Sequence, residues 1–263
     1  MNIPKKHHYI PQSILNRFCD KDGKLFTFNK KMGKLGKKRY PTAVCYEENL
    51  HTLVHDGEKY IEIEKFYSTI ESQFLELFRK IDEFFENPID TNELKNDDNI
   101  FKIISLFLSL SFWRILKRNT ITVKNRSNLR RIFDRAPVES KELLGFDRKL
   151  VRDIEKKNAS ASLKIAQFVL LPVLLSDSNN SSIRNCWFYQ TNFDQAISDD
   201  PLVCDIDEKL MLSGEIYAPI SSRICITNSS EKIAQLHEKM LSNATKMVMA
   251  NSEKCFLTLH TKS

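Results

Sequence analysis

Two adjacent histidines near the start of the chain are the residues best suited to chemistry. His7 and His8 are two of only six histidines, and they lie in the run Lys-Lys-His-His-Tyr-Ile-Pro-Gln at residues 5–12. Imidazole binds divalent metals, transfers protons near neutral pH and donates hydrogen bonds to phosphate. Neighbouring side chains on an extended strand point to opposite faces, so one imidazole can face a substrate while the other anchors the site. The alternative is a solvated polar segment without chemistry.

A second polar group, Ser-Asp-Asp-Pro at residues 198–201, forms a predicted turn in the last third of the chain. Proline restricts the residue before it and fixes its own φ, so the turn can present the Asp199 carboxylate rigidly. We expect Asp199 to orient a histidine of the first motif or to share a metal with it, the expected ligands being His7 and Asp199. The alternative is that Ser198 and Asp199 cap the turn through side-chain-to-backbone hydrogen bonds.

Glu64 and Glu71 are seven residues apart in a predicted helix, so they lie on nearly the same helix face. Phenylalanines continue close to that face and would draw the carboxylates toward the core. A buried glutamate needs a partner, and Arg114 in a later apolar helix is the candidate. The result is either a structural ion pair or a polar pocket wall. In that pocket Arg114 would hold an anionic substrate and Glu71 would act as base or metal ligand.

The composition is that of an ordinary globular protein. The 263 residues are 41% hydrophobic and 28% charged, which is enough apolar material for a substantial core. The formal net charge of +6 is compatible with a polyanionic partner. Basic residues concentrate in the run from Lys30 to Arg39, with others at Lys5-Lys6 and Arg126–Arg131. Such runs either attract nucleic acid or form solvated surface, and aromatic residues are too sparse here for a stacking platform.

The cysteines and apolar stretches bear on the compartment. The six cysteines are spread singly and form no CxxC pair, which argues against a zinc ribbon or finger. The N-terminus carries no apolar signal segment, so we expect reduced thiols in a cytoplasmic protein. The longest apolar stretches, residues 100–116 and 163–175, are interrupted by charges or too short to cross a membrane. They predict buried helices, and we expect no membrane partner.

The elements that must position these residues form a predicted α+β fold, mainly helical, with short antiparallel strands near both ends of the chain. Predicted strands cover residues 24–29, 50–54, 59–63, 186–191, 215–220, 223–227 and 254–260. Predicted helices cover residues 11–18, 64–86, 100–118, 129–133, 149–157, 160–175 and 229–250. We expect one domain, 1–263, with a β-rich region over residues 1–63, a helical region over 64–176 and a mixed region over 183–263. The two β-rich ends are expected to pack together.

The two motifs carry a resemblance to the family called domain of unknown function 4238. His7, His8, Tyr9 and Pro11 match the His-His-Tyr-Val-Pro type motif with which its members open. The later Ser-Asp-Asn-Pro-Val type motif resembles residues 198–202, with Asp200 and Leu202 replacing its Asn and Val. The resemblance extends to Glu64, Glu71, Arg114 and Asn243, and so covers nearly the whole chain. The resemblance implies membership of this family. It implies no activity, because the family has no agreed activity.

The His-His-x-x-Pro stretch also resembles nucleases of the ββα-metal type. In those nucleases one histidine binds a divalent metal and its neighbour activates the attacking water. That pattern needs an asparagine and a further histidine on a following helix. Asn29 lies at a predicted strand end, whereas His51, the next histidine, lies in a predicted strand. The resemblance is therefore incomplete.

Together these patterns predict a metal-dependent hydrolase that acts on nucleic acid or a nucleotide and uses a divalent metal ion. The expected catalytic residues are His7, His8, Asp199 and Glu71, and the expected substrate-binding residues are Tyr9, Gln12, Arg114 and Ser198. The alternative is a non-catalytic binding or sensor module of a bacterial defence or toxin-type system. In that alternative His8 and Asp199 hydrogen-bond to backbone.

Overall fold

The computed structural model describes residues 5–86, 97–123, 128–176, 180–256 and 259. They divide into two compact units that are interleaved along the chain. The first unit draws its residues from 1–9, 47–79 and 98–178, and the second from 10–46, 80–97 and 179–263. Arg126 of the predicted basic cluster and the end of the predicted strand 254–260 lie outside the described residues.

The chain is mainly helical with short antiparallel strands, which confirms the predicted α+β class. The strands are β1 (Lys6–His8), β2 (Phe26–Asn29), β3 (Lys34–Leu35), β4 (Tyr46–Glu48), β5 (Leu53–His55), β6 (Glu58–Tyr60), β7 (Trp187–Gln190), β8 (Ile197–Ser198), β9 (Val203–Ile206), β10 (Leu212–Pro219), β11 (Ile224–Thr227) and β12 (Met247–Ala250). The α-helices are α1 (Gln12–Asn16), α2 (Glu62–Glu86), α3 (Asp98–Trp113), α4 (Asn119–Val123), α5 (Leu129–Arg135), α6 (Val138–Leu144), α7 (Arg148–Lys157), α8 (Ala159–Ile165), α9 (Leu171–Ser176), α10 (Ser181–Arg184) and α11 (Ile233–Asn243). Short 3-10 helices cover Pro41–Ala43, Leu116–Arg118, Ser230–Lys232 and Glu253–Phe256, and a π-helix, Ala166–Leu170, joins α8 to α9.

The first unit is built around helices α2, up to residue 79, and α3. The buried positions of α2 recur every three or four residues, as predicted, and the rings of Phe74 and Phe78 each lie 5.2 Å from that of Phe107 in α3. Before α2, strands β5 and β6 form the predicted hairpin. Its turn residues Asp56 and Gly57 both have positive φ, which is the geometry that an Asp-Gly pair favours between strands.

Proline explains an irregularity in the helical run α8–π–α9. Pro172 has no N–H to donate to the carbonyl of Phe168, four residues earlier. The hydroxyl of Tyr67 in α2 donates to that carbonyl instead, at 2.6 Å. In the same π-helix the Gln167 side chain donates to the backbone carbonyls of Trp113 and Ile115, at the end of α3. These bonds fasten the π-helix to α2 and α3.

One described helix, Ala159–Ser176, is long and apolar enough to cross a membrane, and the bent pair Asp98–Trp113 with Leu116–Val123 meets the same criterion jointly. The helix Ala159–Ser176 extends one residue beyond each end of the predicted helix 160–175, so the expectation that this stretch is too short to cross a membrane is wrong on length. Most of it is buried within the structure, and buried core helices meet the criterion equally well, so the finding is weak evidence for a membrane span.

The second unit contains two four-stranded antiparallel sheets, in the orders β7-β11-β10-β9 and β3-β2-β12-β8. In the second sheet Val248 of β12 pairs with Phe28 on one side and with Ser198 on the other. Strands from both ends of the chain therefore share one sheet, as expected. Helix α11 contacts this sheet through Leu236 and Met240, which belong to a core with Phe28, Val203, Tyr217 and Val248.

Several predicted boundaries are wrong. The helix predicted at 229–250 extends only over Ile233–Asn243, and residues 247–250 are strand β12. The strand predicted at 254–260 begins instead with the 3-10 helix Glu253–Phe256. Helix α3 ends at Trp113 and not at residue 118, because Ile115 adopts an extended conformation. His51 lies in a bend before β5 and not in a strand.

Candidate functional site

Two buried histidines and a glutamate converge in the first unit. His7 lies in β1, His51 in the bend before β5, and Glu64 in the first turn of α2. Each offers a ligand atom within 4.8 Å of those of the other two. The exposed fraction is 1% for His7, 0% for His51 and 31% for the Glu64 side chain. The cluster is therefore closed on the histidine side and partly open at the carboxylate.

Hydrogen bonds determine which nitrogens of the two imidazoles carry protons. The backbone N–H of His51 donates to Nδ1 of His7 at 2.8 Å, so the proton of a neutral His7 ring lies on Nε2. Nδ1 of His51 lies 2.8 Å from Oε2 of Glu64 and donates to that carboxylate. The two rings stack with centroids 5.2 Å apart. Three separate segments are thus bonded into one polar cluster.

Burial keeps the His51 ring neutral. It lowers the pKa of His51 to about 3, and the hydrogen bond to Glu64 opposes this effect only in part. Burial raises the pKa of Glu64, but the hydrogen bond from His51 and nearby positive charge outweigh it and leave that pKa below its usual value. At neutral pH the pair is therefore a neutral imidazole and a carboxylate, the protonation states in which both groups bind metals.

Nε2 of His51 has an unused lone pair. It is buried, and it has no hydrogen-bond partner among the described residues. The rings of Tyr67 and Phe168 lie 4.6 and 5.2 Å from the His51 ring. Leaving such a nitrogen unpaired costs about 1–3 kcal/mol, so its lone pair requires an explanation. Glu64 accepts from the other ring nitrogen, Nδ1, so a metal held by all three residues would take the place of the proton between them.

Arg114 is paired with Glu71, as the sequence predicts. Its Nη1 donates to Oε1 of Glu71, and its Nη2 donates to the backbone carbonyl of His8, both at 2.7 Å. The Tyr67 ring covers the guanidinium, with 4.0 Å between Cζ and the ring centroid. Arg114 therefore fastens β1 to α2 from the end of α3. These contacts match the structural alternative for the ion pair.

The predicted acidic turn lies in the second unit. The Asp199 carboxylate accepts hydrogen bonds from the backbone N–H groups of Thr245 and Lys246, at 2.8 and 2.9 Å, and from the Thr245 hydroxyl. The Ser198 hydroxyl donates to the carbonyl of Asp200 and accepts from its N–H. Both side chains make the contacts of the capping alternative. That Asp199 shares a metal with His7, in the first unit, stays a prediction.

The remaining expected site residues, His8, Tyr9 and Gln12, are partly exposed, and they lie where the chain passes from the first unit to the second. His8 and Tyr9 close the first segment of the first unit, and Gln12 begins α1 in the second unit. His51, Glu64 and Tyr67 were missing from the expected site, which had Glu71 as the glutamate. The sequence does place His51 among apolar residues shortly before a helix that has Glu64 in its first turn. Because a strand is predicted over residues 50–54, the sequence analysis did not bring His51 and Glu64 together.

Among the described residues a second group, His55, Asp56 and Asp153, also has ligand atoms close together. Nζ of Lys157 lies 2.9 Å from Oδ1 of Asp153, and Nε2 of His55 lies 2.9 Å from Oδ2 of the same residue. A lysine cation already balances these carboxylates. We therefore interpret the group as an ion-pair network that joins the β5–β6 hairpin to α7.

A family model described as Protein of unknown function (DUF4238) matches residues 6–254. No curated protein and no solved structure matches the chain. The match covers nearly the whole sequence, including the segments that supply His7, His51, Glu64 and Asp199. The chain therefore belongs to the DUF4238 family.

Proposed function

We propose that the first unit is a metal-dependent hydrolase that acts on nucleic acid or a nucleotide and is centred on His7, His51 and Glu64. The observation that carries the proposal is the convergence of three ligand atoms from three segments within 4.8 Å. The buried Nε2 of His51, which has no hydrogen-bond partner among the described residues, supports it, because its lone pair is open to a metal.

The donor set indicates which metal to test. Two imidazoles and one carboxylate suit Zn²⁺, Mn²⁺ or Fe²⁺ better than Mg²⁺ or Ca²⁺, which prefer oxygen ligands. Such an ion, when bound, supplies Lewis acidity toward a phosphoryl or carbonyl oxygen. Three protein ligands leave coordination positions open, as catalytic zinc sites do. Glu64, the partly exposed member, is on the side that a substrate can reach.

The chain's own residues take distinct roles in this proposal. Arg114 is a positioning residue, because its bond to the His8 carbonyl holds β1 and hence His7 in place. Glu71 orients Arg114. His8 follows the buried His7 and is half-buried, with its Nε2 closed off from solvent. It is the candidate for proton transfer because imidazole titrates near neutral pH. The segments of the first unit carry a formal net charge of +5, which supports a phosphate-bearing substrate over a cationic one.

Metal content and hydrolysis, measured together, test the proposal. We expect the purified protein to hold about one metal per chain by elemental analysis, and to cleave DNA, RNA or nucleotides with Mn²⁺ or Zn²⁺. His51→Ala and Glu64→Gln should lower metal affinity and activity by at least about 100-fold. His237→Gln, a change at a buried histidine of the second unit, should leave both unchanged. A wild-type protein that neither holds metal nor gains thermal stability from it contradicts the proposal.

The alternative is a non-catalytic binding or sensor module of a bacterial defence or toxin-type system. The near-complete burial of both histidines favours it, since structural metal sites are closed. It predicts bound metal and a lower melting temperature after chelation, with no hydrolysis of any of the three substrate classes. Metal bound without hydrolysis would therefore indicate a metal site that is not catalytic, whereas no bound metal would indicate that the metal site does not exist.

The proposed location is the cytoplasm. All six cysteines are free thiols. Burial raises the pKa of Cys186 and of Cys225 to about 12, so these thiols stay protonated and unreactive at neutral pH. Unpaired cysteines in this number suit a reducing compartment.

A further inference from the structure

The positive charge of the second unit is concentrated in one short segment. Residues 30–39, here called the basic ribbon, contain six cations and no acid: Lys30, Lys31, Lys34, Lys37, Lys38 and Arg39. The second unit has a formal net charge of +1, so its other residues carry a net charge of −5. Within this unit, a polyanion would therefore meet its strongest attraction at the basic ribbon.

The basic ribbon is exposed to solvent except at Lys30, which is half-buried. Every residue from 31 to 40 is exposed, and β3, within the ribbon, is the edge strand of the sheet β3-β2-β12-β8. Only Lys38 takes an acidic partner among the described residues, the Asp20 carboxylate at 2.6 Å. The other five cations therefore keep their charge available to a ligand.

The basic ribbon is also held in one shape. Gly36 N–H donates to the Thr27 carbonyl at 2.8 Å, and Leu25 and Arg39 exchange two backbone hydrogen bonds of 2.8 and 2.9 Å. The Thr27 hydroxyl donates to the Lys37 carbonyl at 3.0 Å. A Cβ at position 36 would lie 2.5 Å from that hydroxyl oxygen, so only glycine allows this close approach. A fixed ribbon loses little conformational entropy on binding, unlike a flexible lysine-rich loop.

We propose that the basic ribbon binds the phosphate backbone of nucleic acid. Five cations of this short segment have no acidic partner among the described residues, and such cations bind nucleic acid by replacing the counterions of its phosphates. An anionic membrane is the competing partner. Membrane binding would favour a contiguous apolar surface that inserts among the lipids. The exposed apolar residues here are instead separated by cations: Met32, Leu35 and Tyr40. This binding does not depend on the metal site of the first unit.

The test is the salt dependence of binding to labelled duplex DNA and duplex RNA, read by fluorescence anisotropy with the full chain. We compare wild type with Lys31→Gln/Lys34→Gln/Lys37→Gln. Each lost phosphate contact makes the negative slope of log K against log salt shallower by about 0.9. The variant's slope should therefore be shallower than that of the wild type by about 3. Affinity at low salt should fall on the order of tenfold or more.

The matched control is Lys149→Gln/Arg152→Gln/Lys156→Gln, three exposed cations of α7, which lowers the net charge equally. We expect this control to keep the wild-type slope. Equal losses in both triple variants would overturn the proposal, because binding would then follow net charge alone. Absence of binding to either duplex at low salt, or binding of phosphatidylserine vesicles in preference to both duplexes, would overturn it as well.

Discussion

Tyr67 shows how one side chain connects the backbone to the candidate metal site. Its hydroxyl donates to the Phe168 carbonyl, which cannot accept from Pro172, and its ring contacts both the Arg114 guanidinium and the His51 ring. Burial raises the pKa of Tyr67 well above its usual value, so the hydroxyl is a donor at neutral pH. The same residue thus supports the π-helix and packs against the histidine.

We predict that Tyr67→Phe lowers the free energy of unfolding by about 1–3 kcal/mol, because it leaves the buried Phe168 carbonyl without a donor. Pro172→Ala supplies a backbone N–H, so the cost of Tyr67→Phe should shrink in that background. Urea denaturation of the two single variants and the double variant measures this coupling. Equal costs in both backgrounds would show that the two residues are independent.

At the scale of elements, Asp199 determines where helix α11 stops. The N–H groups of Thr245 and Lys246 would continue the helical ladder, but they bond to the Asp199 carboxylate, and the chain then extends into β12. Ala244 already has the extended ψ of 133°. An acidic residue distant in sequence thus separates a helix from a strand.

We predict that Asp199→Ala lowers the free energy of unfolding by about 1.5–3 kcal/mol, because the N–H groups of Thr245 and Lys246 lose a charged acceptor. Asp199→Asn keeps one acceptor oxygen and should cost less. Circular dichroism during urea denaturation provides the measurement, with bound metal determined in parallel. Unchanged stability together with lost metal would instead support the original expectation that Asp199 is a metal ligand.

Local elements of the fold could be predicted from the sequence, whereas features that depend on residues distant in the chain could not. Helix α2 and the Asp-Gly hairpin depend on neighbours a few residues away, so periodicity and turn chemistry identified them. The end of α11 depends on Asp199, and no local signal marks it. The site divides in the same way. The pairing of Arg114 with Glu71 followed from charge complementarity, whereas the meeting of His51 with His7 depends on the packing of separate segments.

At the scale of the whole molecule, buried neutral histidines limit stability in acid. His237 in α11 is 7% exposed, and its Nε2 accepts from the Ala196 N–H at 3.0 Å. Burial lowers its pKa to about 4. The unfolded chain has the ordinary value of about 6.5, so it binds more protons than the folded chain between these two values. The stability that His237 contributes is therefore complete above about pH 6.5 and is lost as the pH falls toward 4.

We predict that this single histidine contributes about 3 kcal/mol to the difference in unfolding free energy between about pH 7 and about pH 4. His237→Gln keeps an acceptor for Ala196 but cannot take up a proton, so its unfolding free energy should fall less steeply with acid. Urea denaturation followed by Trp187 fluorescence in a Trp113→Phe background measures it, because Trp187 lies in the same unit as His237. Thr122→Val, a buried change without a titrating group, should keep the steep dependence. If His237→Gln shows the same dependence as its parent, the acid sensitivity of this unit must come from other groups.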